Sequence, residues 1–387
     1  MATTECARGR LALCSAHVAG MVDMVALPVW VGSLISGFGF SPARAGGLAS
    51  IFLIGVVVAS LYLAPRFNRI NARILVPLGF VACGILFLLN IVVDQYEIMG
   101  VFHFLGGLAL GCALSLTHGT VGRSANPHRT FALLQFANGI FAIGFMGSVP
   151  LLIHAYGAEA MYYVFAVIML MAAILTGFFF PDPDRSVQQQ ARSSKPHTAL
   201  PVGVWFGIAG VSLMAIMQSM MFSFLERVGS SKGFSVEQMA SMLAFLGLVN
   251  LAPAALAAVL EKHLKAHRVM QFAPVFQVLL AFAIVYSGSF YTYAAAGAFY
   301  PFIMIFTHTF AFGLFAKLDP SGRVVSSTPA INMLGASIGP FLGGVLVQEI
   351  GYGALPYAVS VLALIAMLSF FMIGRHIKRN SPVVLSH

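Results

Sequence analysis

Charge is what this chain has least of. Of its 387 residues, 9% are Asp, Glu, Lys or Arg, where soluble proteins carry about 25%. A chain that is also 59% hydrophobic cannot cover a folded surface with polar groups, so an ordinary water-soluble protein is excluded. Cysteine is scarce too. Cys6, Cys14, Cys83 and Cys112 all fall in the first third, without the close pairing that a metal site or redox motif needs. They read as small residues packing inside helices. No Gly-x-x-x-x-Gly-Lys phosphate loop occurs, and no group of paired acids or of His and Asp at metal-binding spacing converges near one interface. An enzyme is therefore not expected, nor is a cofactor or a resident metal.

What the chain does have is long apolar runs. About 20 apolar residues cross a bilayer as a helix, and twelve such stretches are legible, near 11–36, 45–64, 74–93, 98–122, 130–154, 158–180, 202–225, 237–260, 269–288, 292–316, 324–348 and 354–374. The first of them, with the 25-residue run Leu11–Ile35, is too long for the apolar core of a processed signal peptide and is expected to stay as a span. The net charge is +9, which by itself would suggest anionic partners. Its distribution gives a different reading. Eighteen of the 21 Lys and Arg residues fall on one side of the twelve-span scheme, and only Arg44, Arg227 and Lys232 lie opposite. The positive-inside rule then places both termini in the cytoplasm of a multi-pass protein of the cell membrane. The basic excess reports topology, and no nucleic acid is expected as a partner.

The longest internal polar stretch, Pro181 to Pro201, separates spans six and seven. It divides the chain into an N-terminal six-helix bundle (1–180), a cytoplasmic central loop (181–201), a C-terminal six-helix bundle (202–374) and a cytoplasmic tail (375–387). The halves echo each other. Asn126-Pro127-His128-Arg129 follows span four and Asp319-Pro320-Ser321-Gly322-Arg323 follows span ten. Arg129 and Arg323 are 194 residues apart, as are Asn138 and Asn332, while Arg73 and Arg268 are 195 apart. Half the chain length is the period of a duplicated unit, the usual construction of transporters with alternating access.

With twelve spans, internal termini, a polar central loop and two related halves, the chain resembles the major facilitator superfamily over nearly its whole length. That family carries Gly-x-Leu-Ala-Asp-Arg-x-Gly-Arg-Arg after span two. Here the stretch is Leu63-Ala64-Pro65-Arg66-Phe67-Asn68-Arg69. Arg66 and Arg69 match, while Pro65 and Asn68 replace the motif's Asp and Gly, so the charge-relay gate that the Asp supports in relatives is not carried over. A second signature, Gly-x-x-x-Gly-Pro-x-x-Gly-Gly, is complete at Gly335, Gly339, Pro340, Gly343 and Gly344. It marks span five in proton-driven exporters of the family and lies on span eleven here. Small residues let helices approach closely and Pro supplies a hinge, so packing and hinge roles are its expected use. The fold implied is an all-α membrane protein of twelve transmembrane helices in two pseudo-symmetric six-helix bundles. The resemblance also implies a central cavity lined by spans one, four, seven and ten, and a monomer.

Asp23 is the only one of the 12 acids placed deep inside a span, with no Lys or Arg beside it. It is thirteenth in the run Leu11–Ile35, near the midplane. An ionisable group there costs several kcal/mol and is a functional candidate by default. Gly20 and Ala19 precede it by one turn, leaving room for water or solute, and Leu27 and Trp30 share its face. Asp23 is the expected proton-coupling residue, with His308 of span ten, flanked by Thr307 and Thr309, as a second member of the proton path. Either could instead be a neutral group hydrogen-bonded to a neighbouring helix. Gln218 on span seven lies 195 residues after Asp23 and is its repeat counterpart. Met214, Met217, Met220 and Met221 around it form a soft wall, of the kind found at promiscuous surfaces or in a core. Gln218, Trp30, His118 and His103 are the substrate-binding candidates. Arg66, Arg69, Asn138, Asn332, Gly335, Gly339 and Pro340 are the gating and structural ones. His17, about 120° around the helix from Asp23, is not expected to pair with it.

The expectation is a secondary active transporter that moves a small organic solute by alternating access, coupled to protons through Asp23. The absence of a buried Lys or Arg disfavours a strongly anionic solute. The direction leans to efflux of a neutral or cationic amphipathic compound. A proton symporter importing a weak organic acid and an uncoupled facilitator stay open. The partners are then the small molecule, protons and the lipid bilayer.

Overall fold

Every backbone N–H and C=O inside hydrocarbon must find a partner within the protein, and a single apolar segment can do this only as a helix. The computed structural model, which describes residues 3–181, 202–318 and 323–380, is 86% helix, with no strand among the described residues. Most of the central loop (182–201), residues 319–322 of the second repeat motif and the end of the tail (381–387) lie outside the described residues. Eleven stretches are long and apolar enough to cross a membrane, from Ala7–Ser36 to Ala354–Arg375. The remaining expected span corresponds to the helix Arg323–Glu349. The last helix continues to Asn380, past the expected end of its span at 374.

Two spans expected to be continuous are interrupted. Span one consists of Ala7–Gly20 and Val22–Ser36, joined at Met21 with φ −110° and ψ 6°. Span seven consists of Val202–Ser223 and Leu225–Ser231, joined at Phe224 with φ −105° and ψ 6°. In both, one residue leaves the helical region and breaks the i to i−4 ladder. Span eight also divides, into Val236–Val249 and Pro253–Leu260, because Pro253 has no N–H with which to continue the ladder.

The chain packs as two units. Of the described residues, one comprises 3–38 and 51–181; the other comprises 39–50, 202–318 and 323–380. In the first, Trp30 is fully buried, with its ring edge-on to Phe52 and Phe165 at centroid distances of 5.2 and 5.5 Å. Close backbone approach surrounds this core: a Cβ on Gly107 would run into the Phe52 carbonyl, and one on Gly111 would lie 2.6 Å from the Val56 carbonyl oxygen. In the second unit, Val211, Met214, Phe315 and Phe370 form the interior near one end of spans seven, ten and twelve. Span eleven lies on span seven through Gly335 and Gly339, whose missing Cβ atoms leave room for the Ser212 and Ile216 carbonyls. Residues 39–50 complete this unit: a Cβ on Gly46 would meet the Pro340 carbonyl, and the Phe341 N–H donates to Ser50 Oγ at 3.0 Å.

The described residues include four glycines with positive φ: Gly39 (68°), Gly157 (90°), Gly233 (81°) and Gly351 (102°). They form two pairs, Gly39 with Gly233 and Gly157 with Gly351, each 194 residues apart. The first pair opens an identical tripeptide, Gly39-Phe40-Ser41 and Gly233-Phe234-Ser235, before a new helix. The duplication therefore extends to backbone conformation at the turns, where only glycine takes this geometry without strain. At these turns the register is 194, one residue from the offset that pairs Asp23 with Gln218.

Candidate functional site

Asp23 lies just beyond the break in span one. In an unbroken helix the Met24 N–H would reach the Gly20 carbonyl; here it donates to Asp23 Oδ1 at 2.7 Å. The carboxyl is 1% exposed, and its Oδ2 has no hydrogen-bond partner. Neither carboxyl oxygen meets a Lys or Arg among the described residues, so no cation compensates Asp23. The expected room beside it is occupied. A Cβ on Gly20 would lie 2.6 Å from Leu114 Cδ1, so the leucine of span four fills the space that the small residues leave. Asp23 is an enclosed carboxyl with one oxygen accepting a backbone N–H and the other without a protein partner.

One turn before the break, His17 joins three spans. Its Nε2 lies 2.7 Å from Gln135 Oε1 on span five, and its Nδ1 lies 3.0 Å from His118 Nε2 on span four. The Gln135 oxygen can only accept, so His17 carries its proton on Nε2 and its Nδ1 accepts from the His118 Nε2–H. His118 Nδ1 is left as an acceptor. The His118 ring packs edge-on to Phe131 at 5.5 Å, and Asn138, one turn beyond Gln135, has a buried Oδ1 without a partner. In the sequence, His17 is weighed only as a partner for Asp23, and Gln135 is not singled out. Their only signal there is polarity within apolar runs, which a single chain shares with many packing residues.

His103 and Trp30 sit elsewhere in the first unit. The His103 ring stacks on Trp30 with centroids 5.5 Å apart and an interplanar angle of 15°. Its Nδ1 bonds the Met99 carbonyl oxygen at 2.7 Å and its Nε2 lies 3.4 Å from the Tyr162 hydroxyl. Both residues are almost wholly enclosed, at 1% and 0% exposure.

In the second unit, Gln218 is 9% exposed and accepts a long bond, 3.5 Å, from the Gln277 amide of span nine, whose own Oε1 has no partner. The four methionines around Gln218 are at most 1% exposed and pack inside the unit. Their softness fills irregular space there. Tyr300 donates to the Met217 carbonyl at 3.1 Å, and Tyr293 donates to the Leu225 carbonyl next to the break in span seven. His308 Nδ1 and Asn332 Nδ2 are 3.2 Å apart, joining spans ten and eleven, while His308 Nε2 and Asn332 Oδ1 are unpartnered. Glu226 accepts from the Ser230 hydroxyl at 2.6 Å.

The loop after span two is a short 3-10 helix, Ala64–Arg69. Arg66 folds back on its own segment, donating to the Tyr62 carbonyl at 2.8 Å and covering the Tyr62 ring at 4.0 Å, and Arg69 is exposed. Phe67, 7% exposed, enters a notch made by Gly119, with Arg123 stacked on its ring at 3.9 Å.

This helical architecture is shared by known proteins. It matches the crystal structure of a D-xylose–proton symporter with a TM-score of 0.72 at 15% identity, over 94% of this chain and 96% of the other. A bacterial homolog of the human lysosomal transporter Spinster, inward-facing and occupied, gives 0.72 at 12% identity over 98% of each chain. The nucleoside transporter NupG gives 0.70 at 16% identity, over 95% and 99%. These likenesses show the fold. No curated protein matches the sequence. The sequence profile of the Major Facilitator Superfamily matches residues 12–320; the chain is a multi-pass membrane transporter of that superfamily and not an enzyme.

Proposed function

We propose that the protein couples the movement of a small organic solute to protons, with Asp23 as the group that takes up and releases the proton. The observation that carries this reading is a fully enclosed carboxyl with one unpartnered oxygen and no cation against it. An ionised carboxylate in such surroundings costs several kcal/mol, so it holds a proton while the site is dry. The bond from the Met24 N–H, at the start of the second half-helix, supports the anion once water enters. A group stable in two protonation states under two hydrations can exchange a proton on alternate sides of the membrane. His308, bonded to Asn332, is the second member of the path in the other unit. Gln218, His118, Trp30 and His103 are the substrate-side candidates; His118 is the one joined to a partly unsatisfied polar chain.

The solute is neutral or cationic, because no Lys or Arg is buried among the described residues to meet an anion, and the direction leans to efflux. Protein similar in fold carries such a neutral solute in one case, D-xylose, together with protons. The protein works as a monomer in the cell membrane, with both termini in the cytoplasm. The test is proton release from detergent-purified protein on adding candidate solutes, wild type against Asp23→Asn. Release that is lost in the variant supports coupling through Asp23. Binding without release in wild type makes the protein a facilitator and reduces Asp23 to a packing or solute contact.

A further inference from the structure

The His118–His17–Gln135 chain of the first unit has no part in the proton path above, and its chemistry is specific. Its inner atoms satisfy one another: the His17 Nε2–H meets the Gln135 carbonyl at 2.7 Å, and the His118 Nε2–H meets His17 Nδ1 at 3.0 Å. This ordering leaves opposite characters at the two ends. His118 Nδ1 can only accept, and the Gln135 amide nitrogen can only donate. His17 is buried, at 3% exposure, whereas His118 is half-buried and Gln135 is exposed at the surface of its unit. The locked centre therefore presents two open ends. Beside them, Asn138 Oδ1 is buried without a partner and the Phe131 ring stands edge-on to His118.

We infer that this chain is a solute-binding array for an uncharged group that both donates and accepts hydrogen bonds, such as the hydroxyls of a sugar or the amide edge of a nucleobase. This rests on the transporter reading but not on proton coupling. A carboxylate or phosphate, which only accepts, leaves His118 Nδ1 and Asn138 Oδ1 unpaired. An ammonium, which only donates, leaves the Gln135 N–H unpaired. Each mismatch strands a desolvated polar atom, so selection against both signs of charge follows from neutral residues alone. Within the class left open above, neutral is chosen over cationic.

The test is equilibrium binding to the full-length protein in lipid nanodiscs, using glucose with glucosamine and glucuronate, and uridine with uridine monophosphate. At least one neutral probe is expected to bind in wild type, more tightly than its charged counterparts. His118→Phe, which keeps the ring against Phe131, and Gln135→Leu are each expected to weaken that binding about tenfold, the worth of one hydrogen bond. Gln135→Glu turns the donor end into an acceptor and should shift preference toward glucosamine, a gain that a misfolded variant cannot show. Proton release is recorded beside binding in wild type, so neutral binding without release would sink the coupling reading and leave this inference standing. The inference is overturned if a charged probe binds more tightly than its neutral counterpart in wild type. It is also overturned if both His118→Phe and Gln135→Leu leave binding unchanged, or if neither neutral probe binds at millimolar concentration.

Discussion

A carboxyl, an imidazole pair and a handful of glycines decide most of what this chain can do, and each is constrained by a neighbour. One turn before Asp23, the space over Gly20 is filled by Leu114. Shrinking that residue, Leu114→Ala, opens a cavity one turn from the carboxyl. Proton exchange at Asp23 is expected to become faster, and uptake driven by a pH gradient less tightly coupled, which proteoliposome flux with a pH-sensitive dye will register as leak without solute. Gly39 is limited by backbone conformation alone: it has φ 68° and nothing within 4 Å of a Cβ position. Gly39→Ala should therefore cost about 1–2 kcal/mol through the left-handed penalty alone, and Gly233→Ala a similar amount at the duplicated turn. Thermal unfolding in detergent measures both, and equal losses would mark the two turns as equivalent.

Helices in this protein are tied together by polar atoms at their ends and by aromatic packing in their middles. Lys232, in the turn after span seven, donates to the carbonyls of Val285 and Ser287, each at 2.7 Å. It thus closes the C-terminal end of the helix Ala266–Tyr286, where unsatisfied carbonyls carry partial negative charge. Lys232→Met removes two charge-assisted bonds and is expected to destabilise the second unit by about 1–3 kcal/mol. Hydrogen exchange confined to the turn at 285–290 would rise first. Trp30 plays the corresponding part inside the first unit, where spans one, two, three, four and six meet on its ring through Phe52, Phe87, His103 and Phe165. Trp30→Ala should cost about 3–5 kcal/mol, whereas Trp30→Phe should retain folding. If Trp30 also meets solute, Trp30→Phe will weaken binding at unchanged stability.

The duplicated architecture sets the scale above the helix. Positive-φ glycines recur at 194 residues in the turns before spans two and eight and before spans six and twelve. The loops that carry the Lys and Arg excess alternate with these turns. Cysteines introduced for Gly39 or Gly288 should react with a membrane-impermeant maleimide from outside intact cells, and one introduced for the equally exposed Ala125 should not. The opposite pattern would reverse the orientation drawn from the positive-inside rule.

Much of this was legible in the chain itself. Apolar length alone dictates helices, because hydrocarbon offers no other partner to the backbone, and the near-194 offsets of Arg129 and Asn138 disclosed the two halves. Asp23 stood out because a lone acid among some 25 apolar residues has no inexpensive explanation. The Gly-Phe-Ser repeat was equally present but silent until its backbone angles showed why glycine stands there. Tertiary structure alone decided the rest. It broke span one at Met21, filled the gap over Gly20 with Leu114, and brought His17 to His118 and Gln135 across more than 100 residues of chain. A one-dimensional pattern specifies which residues avoid water, but partners from different helices are chosen by packing, and a buried polar atom gains its meaning only from the atom it meets.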